Sequence, residues 1–286
     1  MASLPLIGPV MNLDELNKLA FSLSPSERMP VLFVGHGSPM NAIEDNEFAL
    51  GWREVGKHLP KPSAILCISA HWETRGTWVT AMPKPRTIHD FGGFPEALYQ
   101  VQYPANGSAE IASETRSAIK SAEVGLDEKW GLDHGCWSIL RRMYPDADVP
   151  VVQLSLDYTK TAQYHYDLAK QLGVLRERGI LVIGSGNMVH NLRMVAWDRL
   201  DSPGYAFDWA LEADQRMKRF ILDGNHKSLI DYHMQGKSFE LAIPTPEHYL
   251  PLLYTLALQQ DNEKTEFFND SPVGGSLTMT SVKIGA

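Results

Sequence analysis

The amino-acid sequence predicts an α/β fold, a three-layer α/β/α domain around a mostly parallel or mixed central sheet. Four short apolar runs rich in β-branched residues predict buried strands at 31–34, 64–68, 151–154 and 180–183. Their continuous apolarity, without alternation, is typical of a sheet that is covered on both faces. Helical patterns separate the runs, and 286 residues are enough for one large domain.

Helical periodicity predicts the layers that cover this sheet. In chain order, the expected helices are 46–59, 109–124, 134–143, 161–178, 204–223 and 246–259. Two segments with stronger alternation, 77–82 and 276–284, are predicted to be edge or antiparallel strands. Because no repeat or linker divides the chain, we expect a single domain over residues 1–286, with 1–30 as an N-terminal helical extension.

Composition and charge narrow the classes of function. The net charge of −8 argues against a protein that binds nucleic acid or an anionic membrane through a basic surface. No apolar run approaches the ~20 residues of a membrane helix. Cys67 and Cys136 form no C-x-x-C motif, so neither a disulfide framework nor a thiolate zinc finger is expected. We expect a cytoplasmic monomer or small homo-oligomer.

Histidines follow three of the predicted strands. His36 lies in a Gly-His-Gly loop after the first strand, His71 follows the second, and His190 follows the strand at 180–183. Ligands of open α/β sheets bind outside the carboxyl ends of the strands, so these side chains are expected to meet there. Several converging neutral imidazoles are typical of a mononuclear metal site. Glycines at 35, 37, 184 and 186 allow the backbone to approach closely.

Two further histidines are predicted to lie near helix N-termini. Thr245 and Pro246 are typical of an N-cap and a first turn, which brings His248 close to the positive end of a helix. Glu247 is the rival ligand there, and both residues could instead only cap the helix. His134 follows Asp133, a good N-cap, and is a candidate acid/base residue.

Other motifs point away from cofactor and nucleophile chemistry. The sequence has no H-E-x-x-H, no phosphate-binding P-loop and no G-x-S-x-G. The run 184–186 lacks the third glycine of a dinucleotide-binding fingerprint. The glycine- and phenylalanine-rich segment 88–95 is either a lid over a substrate or a packed turn. Metal chemistry is therefore the best supported interpretation of the residues.

At these residues, the chain resembles the class III extradiol ring-cleavage dioxygenases, in the branch called 4,5-DOPA dioxygenase. Six motifs in the same order carry the resemblance from about residue 30 to the end of the chain. They are Gly35-His36-Gly37-Ser38-Pro39, Ser69-Ala70-His71-Trp72, His89-Asp90-Phe91-Gly92-Gly93-Phe94-Pro95, Leu132-Asp133-His134-Gly135, Gly184-Ser185-Gly186-Asn187-Met188-Val189-His190-Asn191 and Pro246-Glu247-His248-Tyr249.

The resemblance implies roles for five histidines. His36, His71 and His248 are implied as metal ligands, and His190 as an acid/base residue that also reaches the metal. His134 resembles a histidine that lies close to the substrate. Many members of the wider superfamily complete the ligand set with a glutamate, which keeps Glu247 in question. The implied reaction is cleavage of a catechol such as L-DOPA by O2 to a semialdehyde.

The metal and the reaction class both have alternatives. Zinc binds histidine sites more tightly than Fe(II), but it has no redox role. Our hypothesis is that one divalent metal is held, zinc in the isolated protein and Fe(II) during turnover. A zinc-dependent hydrolase and a non-catalytic binding protein would use the same histidines.

Overall fold

The computed structural model describes residues 28–285, so all but three residues of the predicted N-terminal extension lie outside the described part. The four predicted buried strands are present, and all four run further than expected, the first by a single residue. The described strands are β1 (Val31–Gly35), β2 (Ala64–Thr74), β3 (Thr77–Thr80), β4 (Val124–Asp127), β5 (Val151–Asp157), β6 (Ile180–Gly186), β7 (Thr265–Phe268), β8 (Pro272–Val273), β9 (Leu277–Thr278) and β10 (Ser281–Ile284).

Eight of the described strands form one mixed sheet in the order β4-β3-β5-β2-β6-β1-β10-β7. The central strands β5, β2, β6 and β1 are parallel to one another. On one side β10 and β7 continue the sheet antiparallel, and on the other β3 runs antiparallel to β5. The carboxyl ends of β1 and β2 therefore flank that of β6, the arrangement that brings their following residues together.

Alternate residues of the central strands enter two separate hydrophobic cores, one on each face of the sheet. Phe33 and Leu66 belong to one core, whereas Leu32 and Ile65 belong to the other. Every residue of β5 and β6 is buried, as a strand covered on both faces requires. The predicted three-layer α/β/α architecture is confirmed.

The helices cover both faces. The described α-helices are α1 (Glu47–His58), α2 (Glu96–Tyr99), α3 (Ala109–Ala118), α4 (His134–Met143), α5 (Ala162–Lys170), α6 (Gly173–Arg176), α7 (Asp208–Leu222), α8 (His226–Ile230), α9 (Lys237–Ala242) and α10 (Leu250–Ala257). Helices α1 and α4 line one core, and α3 and α5–α10 line the other. Within residues 28–285 no helix has the length and apolarity needed to cross a bilayer.

Several predicted bounds were wrong for identifiable reasons. The helix expected over 109–124 ends at Ala118, because Ile119 is extended and the side chain of Gln171 binds the next two backbone N–H groups. The segment 161–178 is divided between α5 and α6 by a turn at Gln171 and Leu172. The strand expected over 276–284 is two strands, β9 and β10, in different sheets.

The predicted helix over 246–259 also begins later than expected. Pro246 starts a turn, in which the N–H groups of Tyr249 and Leu250 donate to its carbonyl, and α10 begins only at Leu250. Thr245 does not cap this helix, because its hydroxyl donates to the Glu247 carboxylate instead. His248 therefore lies in the turn that precedes α10.

Two predicted glycines allow this turn to reach the sheet. A Cβ at Gly186 would collide with the carbonyl oxygen of His248, and one at Gly184 would collide with the carbonyl oxygen of Pro251 in the first turn of α10. The N–H of Asn187 donates to the same His248 carbonyl at 2.9 Å. The backbone of His248 is thus fixed directly over the carboxyl end of β6.

Candidate metal centre

The sheet and the turn before α10 bring together the three histidines implied as ligands. His36 directly follows β1, and its N–H donates to the carbonyl of Gly186 on β6. His71 does not follow its strand as predicted, because β2 continues to Thr74 after an irregularity between Ile68 and Glu73. His71 lies within this irregularity, where the regular pairing of β2 with β5 is interrupted.

The three imidazole rings of His36, His71 and His248 surround a common centre. Their centroids are separated by 4.9 Å for His36 and His71, 5.2 Å for His36 and His248, and 5.0 Å for His71 and His248. One ring nitrogen of each lies within 4.8 Å of the others. His36 and His248 are buried, and His71 is partly exposed.

Hydrogen bonds assign the tautomer of His36. Its Nδ1 lies 2.9 Å from the Ser185 hydroxyl, and that hydroxyl lies 2.5 Å from the carbonyl oxygen of Gly135. Because the serine proton must go to the carbonyl, Nδ1 of His36 is the donor to the serine oxygen. The lone pair of His36 is therefore on Nε2, the nitrogen that faces His71.

Carboxylates lie beside Nδ1 of the other two histidines and favour the same tautomer, through a hydrogen bond at His248 and through ion-pair proximity at His71. Nδ1 of His248 lies 3.1 Å from Oε1 of Glu247, and Nδ1 of His71 lies 3.4 Å from Oδ2 of Asp90. A carboxylate that accepts the Nδ1 proton leaves Nε2 free to bind a metal, an arrangement common around metal-bound histidines. The Glu247 carboxylate therefore lies at Nδ1 of His248, and whether it also binds a metal stays a prediction.

The geometry fits one divalent metal. The Nε2 atoms of His36 and His71 lie 3.1 Å apart. Two nitrogens about 2.1 Å from a tetrahedral ion are separated by about 3.4 Å. Two unprotonated nitrogens facing each other repel, and a cation between them would turn this repulsion into attraction.

Burial keeps these histidines in the neutral form that binds metals. Burial first, and then the neighbouring histidines, hold the pKa of His36 and of His248 well below its usual range. Burial is also the main reason that the pKa of His71 falls to about 3. Protons therefore do not compete for these nitrogens near neutral pH.

His190 lies beside this group, stacked on His248. The two rings are parallel within 7° and their centroids are 3.6 Å apart. His190, Glu247 and His248 form a second group whose ligand atoms lie within 4.8 Å of one another. Burial lowers the pKa of His190 to about 4, although the charge of Glu247 opposes this shift. His190 is thus neutral and next to the ligands.

His134 lies on the other side of the group, at the first position of α4. Asp133 caps this helix as predicted, by accepting from the N–H of Cys136. The His134 ring is 3.9 Å from that of His71 and 5.6 Å from that of His36, centroid to centroid. The structure therefore brings all five predicted histidines into one cluster at the carboxyl ends of the strands.

A protein-family model described as the catalytic LigB subunit of aromatic ring-opening dioxygenase matches residues 30–280 of this chain. The chain belongs to the LigB family. It is accordingly an aromatic ring-opening dioxygenase, and the class III extradiol resemblance of the six motifs is confirmed. The predicted hydrolase alternative is not favoured.

Named relatives of this LigB-family enzyme come from bacteria and plants. It is 47% identical to a 4,5-DOPA dioxygenase extradiol of Escherichia coli (strain K12) over 91% of this chain and 96% of the relative. A protein of the same name from Beta vulgaris is 38% identical over 88% of this chain and 94% of the relative. A crystal structure of the uncharacterized protein JW3007 from Escherichia coli K12 has 41% identity and a TM-score of 0.78, over 90% of this chain and all of that one.

A buried network around Asp133 holds three elements of the LigB-family enzyme in place. Its carboxylate accepts from the hydroxyl of Ser69 at 2.6 Å and from the side chain of Gln153 at 2.7 Å. Ser69 also accepts from the backbone N–H of His71 at 3.2 Å. The network links β2, β5 and α4, and it positions His71 and His134 relative to each other.

Sequence reasoning did not single out Asp90, Ser185 or Gln153 as members of this site. One signal was present, because Gln153 interrupts an otherwise apolar strand and a buried polar side chain needs a partner. Asp90 and Ser185 lie within quoted motifs, but nothing local shows which way their side chains point. Their roles depend on contacts with distant parts of the chain.

The glycine- and phenylalanine-rich segment 88–95 is packed against α4. The ring of Phe91 lies 5.3 Å from that of Phe94, 5.5 Å from His134 and 6.3 Å from Trp137. His89 is directed away from the metal centre, since its Nε2 lies 3.0 Å from the carbonyl oxygen of Val101. The segment is thus packed by its phenylalanines, and its role as a lid over a substrate stays a prediction.

Proposed function

We propose that this LigB-family dioxygenase opens the ring of a small catechol such as L-DOPA by 4,5-extradiol cleavage, using O2 and one divalent metal to give a semialdehyde. The main support for the proposal is that three imidazoles converge, with their Nε2 lone pairs directed at a common centre. The names of the relatives support the choice of substrate.

We propose His36, His71 and His248 as the metal ligands. The acceptors at their Nδ1 atoms hold the rings in the required tautomer. When bound, the metal supplies a Lewis acid for the catechol oxygens and, as Fe(II), the electrons that activate O2. Zinc fits the same imidazoles, and we propose that it occupies the isolated protein without supporting turnover.

His190 and His134 are proposed to move protons on opposite sides of the ligand group. His190 is neutral and stacked on His248, so it can accept the proton that a catechol hydroxyl releases. His190 is also a candidate for an additional metal ligand, through the group that it forms with Glu247 and His248. His134 lies beside His71 and is proposed to return a proton to the oxygen that leaves during ring opening.

Turnover by reconstituted protein tests the proposal. Metal-free protein is loaded with Fe(II) without oxygen, mixed with L-DOPA and exposed to O2, beside a zinc-loaded sample. We expect oxygen consumption and a semialdehyde only with Fe(II), with both atoms of labelled O2 in the product. Equal activity of the zinc-loaded sample, or release of one labelled atom as water, would contradict a dioxygenase mechanism.

A further inference from the structure

We infer that Asp90 is a positioning residue that holds the proposed ligand His71 and the proposed proton donor His134 in matching tautomers. This inference rests on the proposed function. It assigns a role to a carboxylate outside the proposed ligand set, and in this role one side chain orients two histidines.

The contacts of Asp90 carry the inference. Its Oδ2 lies 3.0 Å from Nδ1 of His134 and 3.4 Å from Nδ1 of His71. Its Oδ1 accepts from the backbone N–H of His134 at 2.8 Å, which fixes the carboxylate at the first residue of α4. Both Nδ1 atoms thus face one negatively charged oxygen, which can only accept protons.

The contact with His134 is within hydrogen-bond distance, but the ring is turned from the ideal angle. Nδ1 of His134 is buried and has no hydrogen-bond partner of good geometry among the described residues. Leaving a buried donor unpaired is costly, so the distance is the better guide to the interaction than the angle. We therefore expect the imidazole to turn so that its Nδ1–H points at Oδ2 of Asp90, 3.0 Å away.

The consequence is a common orientation of two rings whose centroids are 3.9 Å apart. With its proton on Nδ1, His71 presents the Nε2 lone pair to His36 and the metal centre. With its proton also on Nδ1, His134 leaves Nε2 for exchange of a proton with the substrate. A carboxylate that orients a catalytic imidazole in this way is a recurring arrangement in enzymes.

The other acidic side chains of the site do not share this role. Asp133 is close, but its oxygens accept from Ser69, Gln153 and Cys136. Glu247 contacts His248, and no ion pair links it to His134. Within residues 28–285, Asp90 is the carboxylate found at ion-pair distance from two histidines of the site.

The surrounding segment holds Asp90 in place. The indole N–H of Trp137 donates to the carbonyl of Ile88 at 2.8 Å, and the N–H of Ile88 donates to Leu132 at 2.7 Å. The ring of Phe91 packs on His134 from the other side. Because both flanks of Asp90 are attached to α4 or its approach, the carboxylate keeps a defined direction.

The variant Asp90→Asn tests the inference with little change of shape. The amide keeps an acceptor for the backbone N–H of His134 but presents a donor where Oδ2 faced the two rings. We expect zinc affinity, measured by competition with a chelator, to fall roughly 10- to 100-fold. At saturating Fe(II), we expect kcat to fall roughly 100-fold with a smaller change in KM.

A double-mutant cycle separates the His134 role from a general loss of structure. In a His134→Gln background, Asp90→Asn should reduce kcat by less than about threefold further, because its partner is already absent. Glu247→Gln is the matched control, since it removes the carboxylate behind another proposed ligand and should keep its full effect in that background. An undiminished effect of Asp90→Asn there would overturn the inference.

Tautomers can be read in the unmodified chain, without turnover. In zinc-loaded protein with ¹⁵N-labelled histidine, long-range ¹H–¹⁵N spectra should show His71 and His134 both protonated on Nδ1, and Asp90→Asn should shift His134 towards Nε2–H. A wild-type His134 protonated on Nε2 would overturn the inference. A wild type with these tautomers but no oxygenase activity would count against the proposed function alone.

Discussion

The two ends of the sheet both bury polar side chains, but they do so differently. At the amino ends of β1 and β6, Arg176 is fully buried and donates to the carbonyls of Met29 and Leu258 and to both carboxylate oxygens of Glu263. At the carboxyl ends, the Nε2 atoms of His36 and His71 face each other at 3.1 Å, with a ring nitrogen of His248 close by. The first network is complete within the protein, whereas the second is the proposed site of a cation.

The buried polar groups at the two ends therefore serve different purposes: those around Arg176 stabilise the fold, and the histidines are available to bind a ligand. A buried charge that is fully hydrogen-bonded connects elements, and here it ties the start of β1 to the end of α10. Neutral bases whose lone pairs converge repel one another at those nitrogens, so this part of their arrangement is explained by what it binds. The following predictions test that contrast, beginning with the largest effect.

Replacing a proposed ligand should remove function without destabilising the fold. For His36→Ala we expect metal content near zero and a fall in turnover of more than about a thousandfold, since the site loses a ligand. The free energy of unfolding of the metal-free protein should change by less than about 1 kcal/mol, because lone-pair repulsion with His71 is relieved while a small cavity is created. Metal analysis, oxygen consumption and urea unfolding measure the three quantities.

The opposite result is expected at the other end of the sheet. Arg176→Ala leaves the carboxylate of Glu263 and two buried carbonyls without their partner, so the free energy of unfolding should fall by about 3 kcal/mol. Turnover per folded molecule should stay within a factor of about two. If Arg176→Ala abolished metal binding in folded protein, or His36→Ala unfolded it, the division between the two ends would be wrong.

The sequence predicted what depends on local signals. The four central strands, the start of α4 with its Asp133 cap, and the histidines near the strand ends all follow from nearby residues. These positions are fixed by apolar runs, a capping side chain and glycines that permit close approach. The candidate site was therefore predictable as a set of histidines.

What could not be predicted depends on contacts between distant segments. β2 continues past His71 because Glu73 and Thr74 pair with β5, a contact that no local pattern shows. The turn at His248 follows from its packing against Gly186 and not from the helical signal of Pro246. The direction of the Asp90 side chain depends on how its loop packs on α4.

The smallest expected effect is a pH dependence that arises mainly at the histidine end of the sheet. Burial lowers the pKa of His71 to about 3 and that of His190 to about 4. The unfolded chain binds these protons below its ordinary pKa of about 6.5, whereas the folded chain does not. The stability that these histidines contribute is therefore present above pH 6.5, and it is lost as the pH falls towards 4.

For metal-free protein, the free energy of unfolding should fall by about 1–2 kcal/mol per buried histidine between pH 7 and pH 5. His165, whose pKa burial lowers to about 4 in another part of the fold, adds to this slope. In the variant His190→Gln, the fall in unfolding free energy over this pH range should be smaller by the contribution of one histidine. Arg176→Ala should lower the whole curve and leave the histidine part of its slope unchanged, because Arg176 contacts none of these histidines. The prediction is wrong if the fall in unfolding free energy between pH 7 and pH 5 is unchanged in His190→Gln but smaller in Arg176→Ala. The pH-sensitive groups would then lie at the Arg176 end of the sheet.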